Sequence, residues 1–282
     1  MILRFSGADF SKNNIGKIRI IKELTYETKQ LLSKYSRSLS DTQKFAVQDF
    51  IEGLKLKGIW AYLGNLYMPI LAGNLNETMI NVKTMTNDYA NPDSNYYAIG
   101  KNGGLTTTQT SDNIPVANRI TVKLNASQLN HHMMVFPLMA YGDSGDEGLF
   151  WLSRINAQRT IDLSSKKWKT NSSDNNGKIF DSSGQPIINS NGKVLIGLDF
   201  LSDKPYGVND TVAESKYTGG YAVGLTDDTY TNEPVHILSN YNRRATNEYG
   251  LISLGTGIPV ELLDVYGDLV KKFFDVMITS SN

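Results

Sequence analysis

Between Ser40 and Gly58 the hydrophobic residues recur with the period of an amphipathic helix. Their spacing is i, i+3, i+4, i+7, which gathers them on one face. These residues are Val47, Phe50, Ile51 and Leu54. Ser40, with Gln43 three residues later, matches a capping box, and Gly58 interrupts the pattern. The stretch therefore predicts a helix with one face to bury, which turns into the apolar run 66–68.

Two other segments carry helical patterns. Residues 21–38 show a weaker one, formed by Leu24, Leu31, Leu32 and Tyr35. Near the other end, Pro259 suits the first turn of a helix, where its missing N–H costs nothing. The apolar stripe that follows consists of Leu262, Tyr266, Leu269, Val270, Phe273 and Met277. We expect this last helix to pack against the predicted sheet or against the N-terminal helices.

From Leu66 to Pro259 the pattern changes to short runs rich in Val, Ile, Thr and aromatic residues. Clusters of Gly, Asn, Asp and Pro separate these runs, as is typical of an all-β domain. The predicted strands are Tyr96–Ile99, Arg119–Leu124, Met133–Ala140, Gly148–Ile155, Thr160–Leu163, Lys178–Phe180, Lys193–Phe200, Gly220–Val223, Val235–Leu238 and Leu251–Leu254.

The side-chain alternation within these runs predicts how they are buried. In the run 119–124, Ile120, Val122 and Leu124 share one face, while Arg119, Thr121 and Lys123 share the other. That alternation is typical of a half-buried antiparallel strand. The runs 133–140 and 194–200 are apolar on both faces, so we expect them centrally, between two layers. Because strands and helices do not alternate, the sequence predicts a mainly β fold, an antiparallel β-sandwich with an N-terminal helical segment and a C-terminal helix.

Composition and charge narrow the classes of function. Lys and Arg total 28 and Asp and Glu total 28, so the net charge is zero. A nucleic-acid partner is therefore not expected, because phosphate contacts need a basic excess. The chain has no cysteine, which excludes thiol catalysis, disulfides and thiolate metal sites. Charges interrupt the apolar residues of the N-terminus, MILRFSGADFSKNNIGKIRII, so we expect neither a signal peptide nor membrane insertion.

Two stretches resemble a known group of proteins. FIEGLKLKGIWAYLGNLYMPILAGNLNETMINVKT (50–84) resembles a segment of phage virion proteins in which a helix leads into a concanavalin A-like (LamG-type) jelly roll. VHILSNYN (235–242) and YGLISLGTGIPVELLDVYGDLVKKFF (249–274) are similar to the last strands and closing helix of that domain. The cysteine-free composition, rich in Asn, Thr and Tyr, is also similar to proteins of crAss-like phages that infect Bacteroides.

The resemblance implies a non-enzymatic structural protein of the virion, in a head or tail appendage such as a fibre or decoration. Its implied partners are other virion proteins of the capsid or tail, further copies of itself in a homo-oligomer, and a host-surface glycan. The predicted organisation is a docking arm (1–20), a helical collar (21–64) and a jelly-roll β-sandwich with its closing helix (65–282). The collar could bury its apolar stripe on its own sandwich or on a neighbouring subunit.

The N-terminal arm is the candidate anchor to the particle. Its apolar residues are spread among Gly, Ser and Asn without a helical period, and the candidate docking residues are Phe5, Phe10, Ile15 and Ile18. One interpretation is a segment that orders only on a partner. The other is an N-terminal strand that pairs locally. The sequence leaves both open.

Catalytic carboxylates would be needed for the alternative function, a carbohydrate-active enzyme (a glycoside hydrolase or lyase) on the same fold. The candidates are Asp143, Asp146, Glu147, Asp227 and Asp228. All lie in loop-like segments flanked by Gly, Ser or Thr, so we expect these carboxylates to lie in solvent-exposed turns. No catalytic residue is predicted. A third hypothesis, a free bacterial carbohydrate-binding module, fits the docking arm less well.

Several other polar residues could bind a metal ion or a glycan. No cofactor is expected, although GDSGDEG (142–148) and NSSDNNG (171–177) could offer oxygen ligands to Ca²⁺. His131 and His132 are adjacent in a strand and would point to opposite faces, so they cannot share one metal. His236 is expected to point outwards from its strand. Several tyrosines in or beside loop-like segments suit protein interfaces or sugar stacking, although most are expected to pack within the sandwich or at its edge. They are Tyr96, Tyr97, Tyr217, Tyr221, Tyr230 and Tyr241.

Overall fold

The structure is a computed structural model. It describes residues 23–108, 114–123, 131–138, 146–152, 157–162, 167–170, 221–222, 234–238, 247–256 and 258–279. Within these ranges the chain is mainly antiparallel β, with two helices before the strands and one after them. The predicted strands 178–180 and 193–200 lie outside the described residues, as does the predicted docking arm.

Three helices form one layer of the molecule: α1 (Tyr26–Leu32), α2 (Asp41–Leu56) and α3 (Val260–Thr279). The capping box of α2 is present, because Ser40 and Gln43 bond reciprocally to each other's backbone N–H. The Nε2 of Gln43 also donates to the Met277 carbonyl oxygen at 3.2 Å, which ties the start of α2 to the end of α3. After α2, Gly58 takes a φ of 76°, a left-handed conformation that favours glycine and ends the helix.

The described strands between α2 and α3 are two to eight residues long. They are β1 (Leu63–Tyr67), β2 (Ile80–Asn81), β3 (Thr86–Asn87), β4 (Tyr97–Ile99), β5 (Leu105–Thr107), β6 (Thr121–Lys123), β7 (His131–Pro137), β8 (Asp146–Leu152), β9 (Ala157–Asp162), β10 (Lys167–Thr170), β11 (Tyr221–Ala222), β12 (Pro234–Ile237) and β13 (Tyr249–Thr256).

These strands form two antiparallel sheets. In the first, here called the helix-covered sheet, the order is β11-β7-β13-β1-β2-β3, and the β4–β5 hairpin joins beside β13. In the second, here called the outer sheet, the order is β10-β9-β8-β12-β6. The last strand, β13, lies between β1 and β7, with Leu66 opposite Ser253 and Ile252 opposite Val135. Strands from the two ends of the described β region are therefore direct neighbours.

One hydrophobic core, here called the helix-side core, fills the space between the helices and the helix-covered sheet. The α2 stripe predicted from the sequence is buried there, and the rings of Phe50 and Phe273 stack at a centroid distance of 5.0 Å. From the sheet, Phe136 meets Tyr266 of α3 edge-on at 5.3 Å. The collar helices thus bury their apolar face on this same chain.

The second core, here called the inter-sheet core, lies between the two sheets. Val135, Ile252 and Leu254 enter it from the helix-covered sheet, while Val122 and Val235 enter it from the outer sheet. Because successive residues of a strand point to opposite faces, β7 and β13 contribute to both cores. The prediction that the run 133–140 lies between two layers is confirmed for its described part, residues 133–138.

The observed strands also correct some expectations. Ile120 and Val122 are buried and Lys123 is exposed, as the alternation predicts. Arg119, predicted on the outward face, is instead buried, and its Nε donates to the Ile114 carbonyl oxygen at 2.8 Å. Strands β2, β3, β5 and β10, each of two to four residues, were not predicted.

Candidate binding site between the sheet edges

A polar cluster interrupts the inter-sheet core where β1, β2 and β3 run side by side. Asn65 and Tyr67 lie two residues apart on β1, so both point to the same face of the strand. Asn81 sits opposite Tyr67 on β2, and Asp88 follows β3 directly. The two asparagines and the tyrosine are buried, whereas Asp88 is exposed. The pairing of three short strands thus brings one carboxylate onto three buried polar groups.

Hydrogen bonds hold the Asp88 carboxylate in a fixed orientation. Its Oδ2 accepts from the Tyr67 hydroxyl at 2.8 Å, from Asn65 Nδ2 at 3.0 Å and from Asn81 Nδ2 at 3.0 Å. Its Oδ1 accepts a longer bond, 3.3 Å, from the Thr86 hydroxyl. Asn65 Nδ2 also donates to the Tyr67 oxygen at 2.9 Å. Oδ2 is therefore saturated, while Oδ1 retains capacity to accept.

The electrostatics of the cluster keep Tyr67 protonated. Burial raises the pKa of its hydroxyl, and the nearby Asp88 charge raises that pKa further. The hydroxyl therefore keeps its proton at neutral pH and donates it to the carboxylate. Asn81 is fixed as well, because its Oδ1 accepts from the backbone N–H of Leu66 at 3.3 Å and of Lys83 at 3.1 Å.

A cavity of about 390 Å³ opens beside this cluster. Asn65 and Asp88 line it on the side of the helix-covered sheet, and the residues of β6, Thr121–Lys123, line it on the side of the outer sheet together with Pro234. The cavity thus lies between the two sheets, where β6 is an edge strand of the outer sheet. Its volume falls in the lower part of the range for small-molecule sites.

Both polar and charged residues belong to the lining of the cavity. The side-chain oxygen of Asn65 is buried and has no hydrogen-bond partner in the described part of the chain. The exposed Lys123 forms no ion pair with any residue the structure describes. Among the described residues, no three His, Asp or Glu side chains gather as a metal centre would require. The lining residues therefore include hydrogen-bonding groups, one carboxylate and one lysine.

Two buried histidines lie elsewhere in the sheets. His236, expected to point outwards into solvent, is instead buried, and its Nδ1 lies 2.7 Å from the Thr121 hydroxyl. Burial, helped by the Arg119 charge, lowers the pKa of His236 to about 4. His132 is buried too, and its Nδ1 donates to the Thr256 carbonyl oxygen at 2.7 Å. Burial lowers the pKa of His132 to about 4, although that hydrogen bond acts in the opposite direction.

Most of the residues singled out from the sequence do not join the cavity. Asp146 and Glu147, predicted in a loop, are the first residues of β8, because β9 extends the pairing back to Asp146. The other candidate carboxylates (143, 227 and 228), both candidate Ca²⁺ segments apart from 146–148, and the docking residues Phe5, Phe10, Ile15 and Ile18 lie outside the described residues.

The tyrosines give a mixed result. Tyr97 is fully buried, where its oxygen accepts from the Ile120 backbone N–H at 3.1 Å, and Tyr96 is half-buried. Tyr217, Tyr230 and Tyr241 lie outside the described residues. Sequence reasoning missed Asn65, Tyr67 and Asp88. The one available signal was an asparagine and a tyrosine at the two-residue spacing of a strand, inside an otherwise apolar run.

Comparison with known proteins adds no relative: no family model, no curated protein and no solved structure matches this chain. Within the described residues, none of the helices is both long enough and apolar enough to cross a bilayer.

Proposed function

We propose that this chain is a non-enzymatic structural protein of a phage virion, a component of a head or tail appendage. One observation carries the proposal beyond the sequence resemblance. The two stretches that bear the resemblance, 50–84 and 249–274, lie at opposite ends of the β region and form one packed frame. In it α2 packs on α3, and β1 pairs with β13.

The frame supports the proposal because its internal contacts link the residues that carry the resemblance. Phe50, in the first stretch, stacks on Phe273, in the second. Tyr67 of the first stretch stands opposite Ile252 of the second in the β1–β13 register. A chance likeness in two separate segments would not require them to pack against each other. A shared domain architecture would.

We further propose that the two sheets are those of a concanavalin A-like jelly roll. The supporting observation is the strand order, in which late strands insert between early ones: β13 between β1 and β7, and β12 between β6 and β8. Such insertions are typical of Greek-key connections, from which jelly rolls are built. The proposed partners are other virion proteins, further copies of this chain and a host-surface glycan.

Mass spectrometry of phage particles purified through a density gradient tests the virion role. Peptides of this chain should peak in the same fractions as peptides of the major capsid protein, at a constant ratio through the peak. A host cytoplasmic enzyme serves as the control for contamination. Recovery of the chain only from the soluble lysate, at the control's level in the particle fractions, would refute the role.

The docking arm is tested separately in the full-length chain. Replacement of Phe5, Phe10, Ile15 and Ile18 by serine should abolish either self-assembly, measured as mass in solution, or incorporation into particles. Circular dichroism and the melting temperature should stay unchanged, because every helix and strand among the described residues begins after residue 22. Unchanged assembly and unchanged incorporation would together remove the arm from the proposal.

The alternative function, a carbohydrate-active enzyme, requires a pair of catalytic carboxylates. A glycoside hydrolase needs two carboxylates about 5 to 10 Å apart in one cleft. Asp88 is the carboxylate that lines the cavity in the described part of the chain. One carboxylate in the described lining, where hydrolysis needs two, favours binding over hydrolysis. Incubation of the purified chain with oligosaccharides, followed by reducing-end assays, distinguishes the two functions.

A further inference from the structure

We propose that the N-terminal segment of this chain, residues 1–22, binds the solvent side of its own helix α2, in equilibrium with a released form. The contact surface, here called the outer stripe of α2, consists of Phe45, Asp49, Glu52 and Leu56. The proposal goes beyond the proposed function and does not rest on it, because the contact lies within one chain. Its consequence is that any partner of the docking arm must first displace the arm from α2.

The outer stripe lies on the side of α2 that does not face the helix-side core. Its four members follow the spacing i, i+4, i+7, i+11, so they share one side of the helix. Asp49, Glu52 and Leu56 are exposed, and Phe45 is half-buried. Leu56 is 84% exposed, whereas Leu54, two residues before it, is fully buried. The outer stripe therefore has an apolar side chain at each end and two carboxylates between them.

Helix α1 brings the N-terminal segment next to the outer stripe. The backbone N–H of Thr25 donates to Gln48 Oε1 at 2.7 Å, and Lys55 Nζ donates to the Glu27 carboxylate at 2.7 Å. Both α2 residues directly precede a member of the outer stripe, so the first turn of α1 lies beside it. Tyr26, between the two contacts, is 75% exposed and adds apolar surface there. Because the described chain begins two residues before Thr25, the N-terminal segment enters the fold at this place.

The composition of the N-terminal segment complements the outer stripe. The segment has one acidic residue, Asp9, and five basic ones, which are Arg4, Lys12, Lys17, Arg19 and Lys22. Lys12 stands between Phe10 and Ile15, as the two carboxylates stand between the apolar ends of the outer stripe. Five extended residues span about 17 Å, and the eleven-residue rise along the outer stripe is about 16 Å. Phe10 and Ile15 can therefore cover both apolar ends at once, with Lys12 near the carboxylates.

The reach of the segment and its tethering favour the chain's own α2 over that of a second copy. The eleven residues from Ile15 to Tyr26 span up to about 36–40 Å when extended, and Gly16 is a residue typical of turns. Tethering gives an effective concentration on the order of 1 mM, about a thousandfold above a second copy at micromolar concentration. With a dissociation constant on the order of 1 mM for so small a contact, the bound and released forms are about equally populated. Such a ratio leaves the melting temperature nearly unchanged.

A nitroxide spin label on the N-terminal segment tests the proposal. The chain has no cysteine, so Asn13→Cys supplies a single attachment site in the full-length protein. In the isotope-labelled chain, the NMR signals of the Asp49, Glu52 and Leu56 amides should broaden and should recover when the nitroxide is reduced. The Val116 amide should not broaden, because the residues around it belong to the inter-sheet core, beyond the helix-covered sheet. Absence of broadening at the outer stripe would overturn the proposal.

A mixed sample distinguishes the chain's own segment from that of a second copy. Spin-labelled chain without isotopes is mixed with an equal amount of isotope-labelled chain without a spin label. Only contacts between two copies can then broaden a signal, and we expect none at the outer stripe. Broadening as large as in the singly prepared sample would overturn the proposal in favour of exchange between copies.

A pair of substitutions locates the contact on the outer stripe. Leu56→Ser should lower the ratio of bound to released segment about threefold to tenfold, because it removes one apolar end of the outer stripe. Val116→Ser, at another exposed apolar residue, is the matched control and should leave the ratio unchanged. Both side chains are mainly exposed, so both variants should fold. Broadening at Asp49 and Glu52 that Leu56→Ser leaves intact, or that both variants reduce equally, would overturn the proposal.

Discussion

The helix-side core and the inter-sheet core are built from the same strands but differ in chemistry. The first is closed by stacked aromatic rings, Phe50 on Phe273 and Phe136 against Tyr266. The second is interrupted by the Asn65–Tyr67–Asp88 cluster and opens into a cavity at its edge. The faces of β13 separate the two, since Leu251 points to one core and Ile252 to the other.

The difference shows how one sheet can serve two purposes. Apolar packing on the helix side provides the stability that a buried polar cluster on the other side reduces. Substitutions in the helix-side core should therefore lower the free energy of unfolding more than substitutions at the polar cluster. The first and the last predictions below test that division.

The largest effect is expected in the helix-side core. Phe273→Ala removes a ring that is 2% exposed and stacked on Phe50, and it should lower the free energy of unfolding by about 3–5 kcal/mol. Lys272→Ala, next to it on the exposed face of α3, should change that free energy by less than about 0.5 kcal/mol. Urea denaturation measures both. Equal effects of the two would show that α3 is not packed as described.

A pH titration of stability tests the burial of one histidine in each sheet, His132 on β7 and His236 on β12. His132 and His236 have a folded pKa of about 4, lowered by burial from the usual value near 6.5. Between these values the unfolded chain binds more protons than the folded one. The free energy of unfolding should therefore be highest above pH 6.5 and fall steadily towards pH 4, by about 3 kcal/mol for His132.

Chemical denaturation at a series of pH values measures this fall. His236→Asn should reduce its size, because asparagine can keep a hydrogen bond to Thr121 without titrating. A free energy of unfolding that stays constant from pH 7 to pH 5 would mean that the histidines are not buried in the folded chain.

The close approach of β13 to the start of β1 gives the next prediction. A Cβ on Gly255 would lie 2.1 Å from the Tyr62 carbonyl oxygen and 2.4 Å from the Gly64 backbone nitrogen. Backbone atoms cannot move aside as a flexible side chain can, so Gly255→Ala should destabilise by about 1–3 kcal/mol. Gly58→Ala, where the space is open but φ is positive, should cost about 1–2 kcal/mol. A neutral Gly255→Ala, measured by thermal denaturation, would contradict the register.

The smallest effect separates two buried tyrosine hydroxyls. Tyr67→Phe removes the donor to Asp88 and should destabilise by about 1 kcal/mol. Tyr266→Phe removes a buried hydroxyl of the helix-side core that lies near Ser253 without hydrogen-bond geometry, so it should change stability by less than about 0.5 kcal/mol. Urea denaturation of both variants is the measurement, and a larger loss in Tyr266→Phe would reverse the contrast between the cores.

The sequence predicted the helix-side core better than the inter-sheet core. The helix α2, its capping box and its buried stripe follow from local spacing, and so does the stripe of α3 after Pro259. These features need only neighbours within a few residues of each other. The alternation in the run 119–124 likewise predicted that the strand face carrying Ile120 and Val122 is buried.

The cavity could not be predicted because its parts come from distant segments. Asp88 lies in a polar segment after a two-residue strand. Nothing near it in the sequence indicates that Asn65 and Tyr67 will donate hydrogen bonds to it. His236 was placed wrongly for a related reason. Alternation gives the face on which a side chain lies, but not whether residues such as Thr121 cover that face.

The position of β13 also has a consequence for the synthesis of the protein. Leu66 of β1 cannot pair with Ser253 until the ribosome has synthesised the chain as far as β13. Until then, one edge of β1 and the apolar face of α2 are exposed, in a nascent chain that cannot yet close either core. Pairings between such distant residues form slowly, and unpaired apolar edges favour aggregation. We therefore expect nascent chains stalled before β13 to bind chaperones, and chains that include α3 to be released.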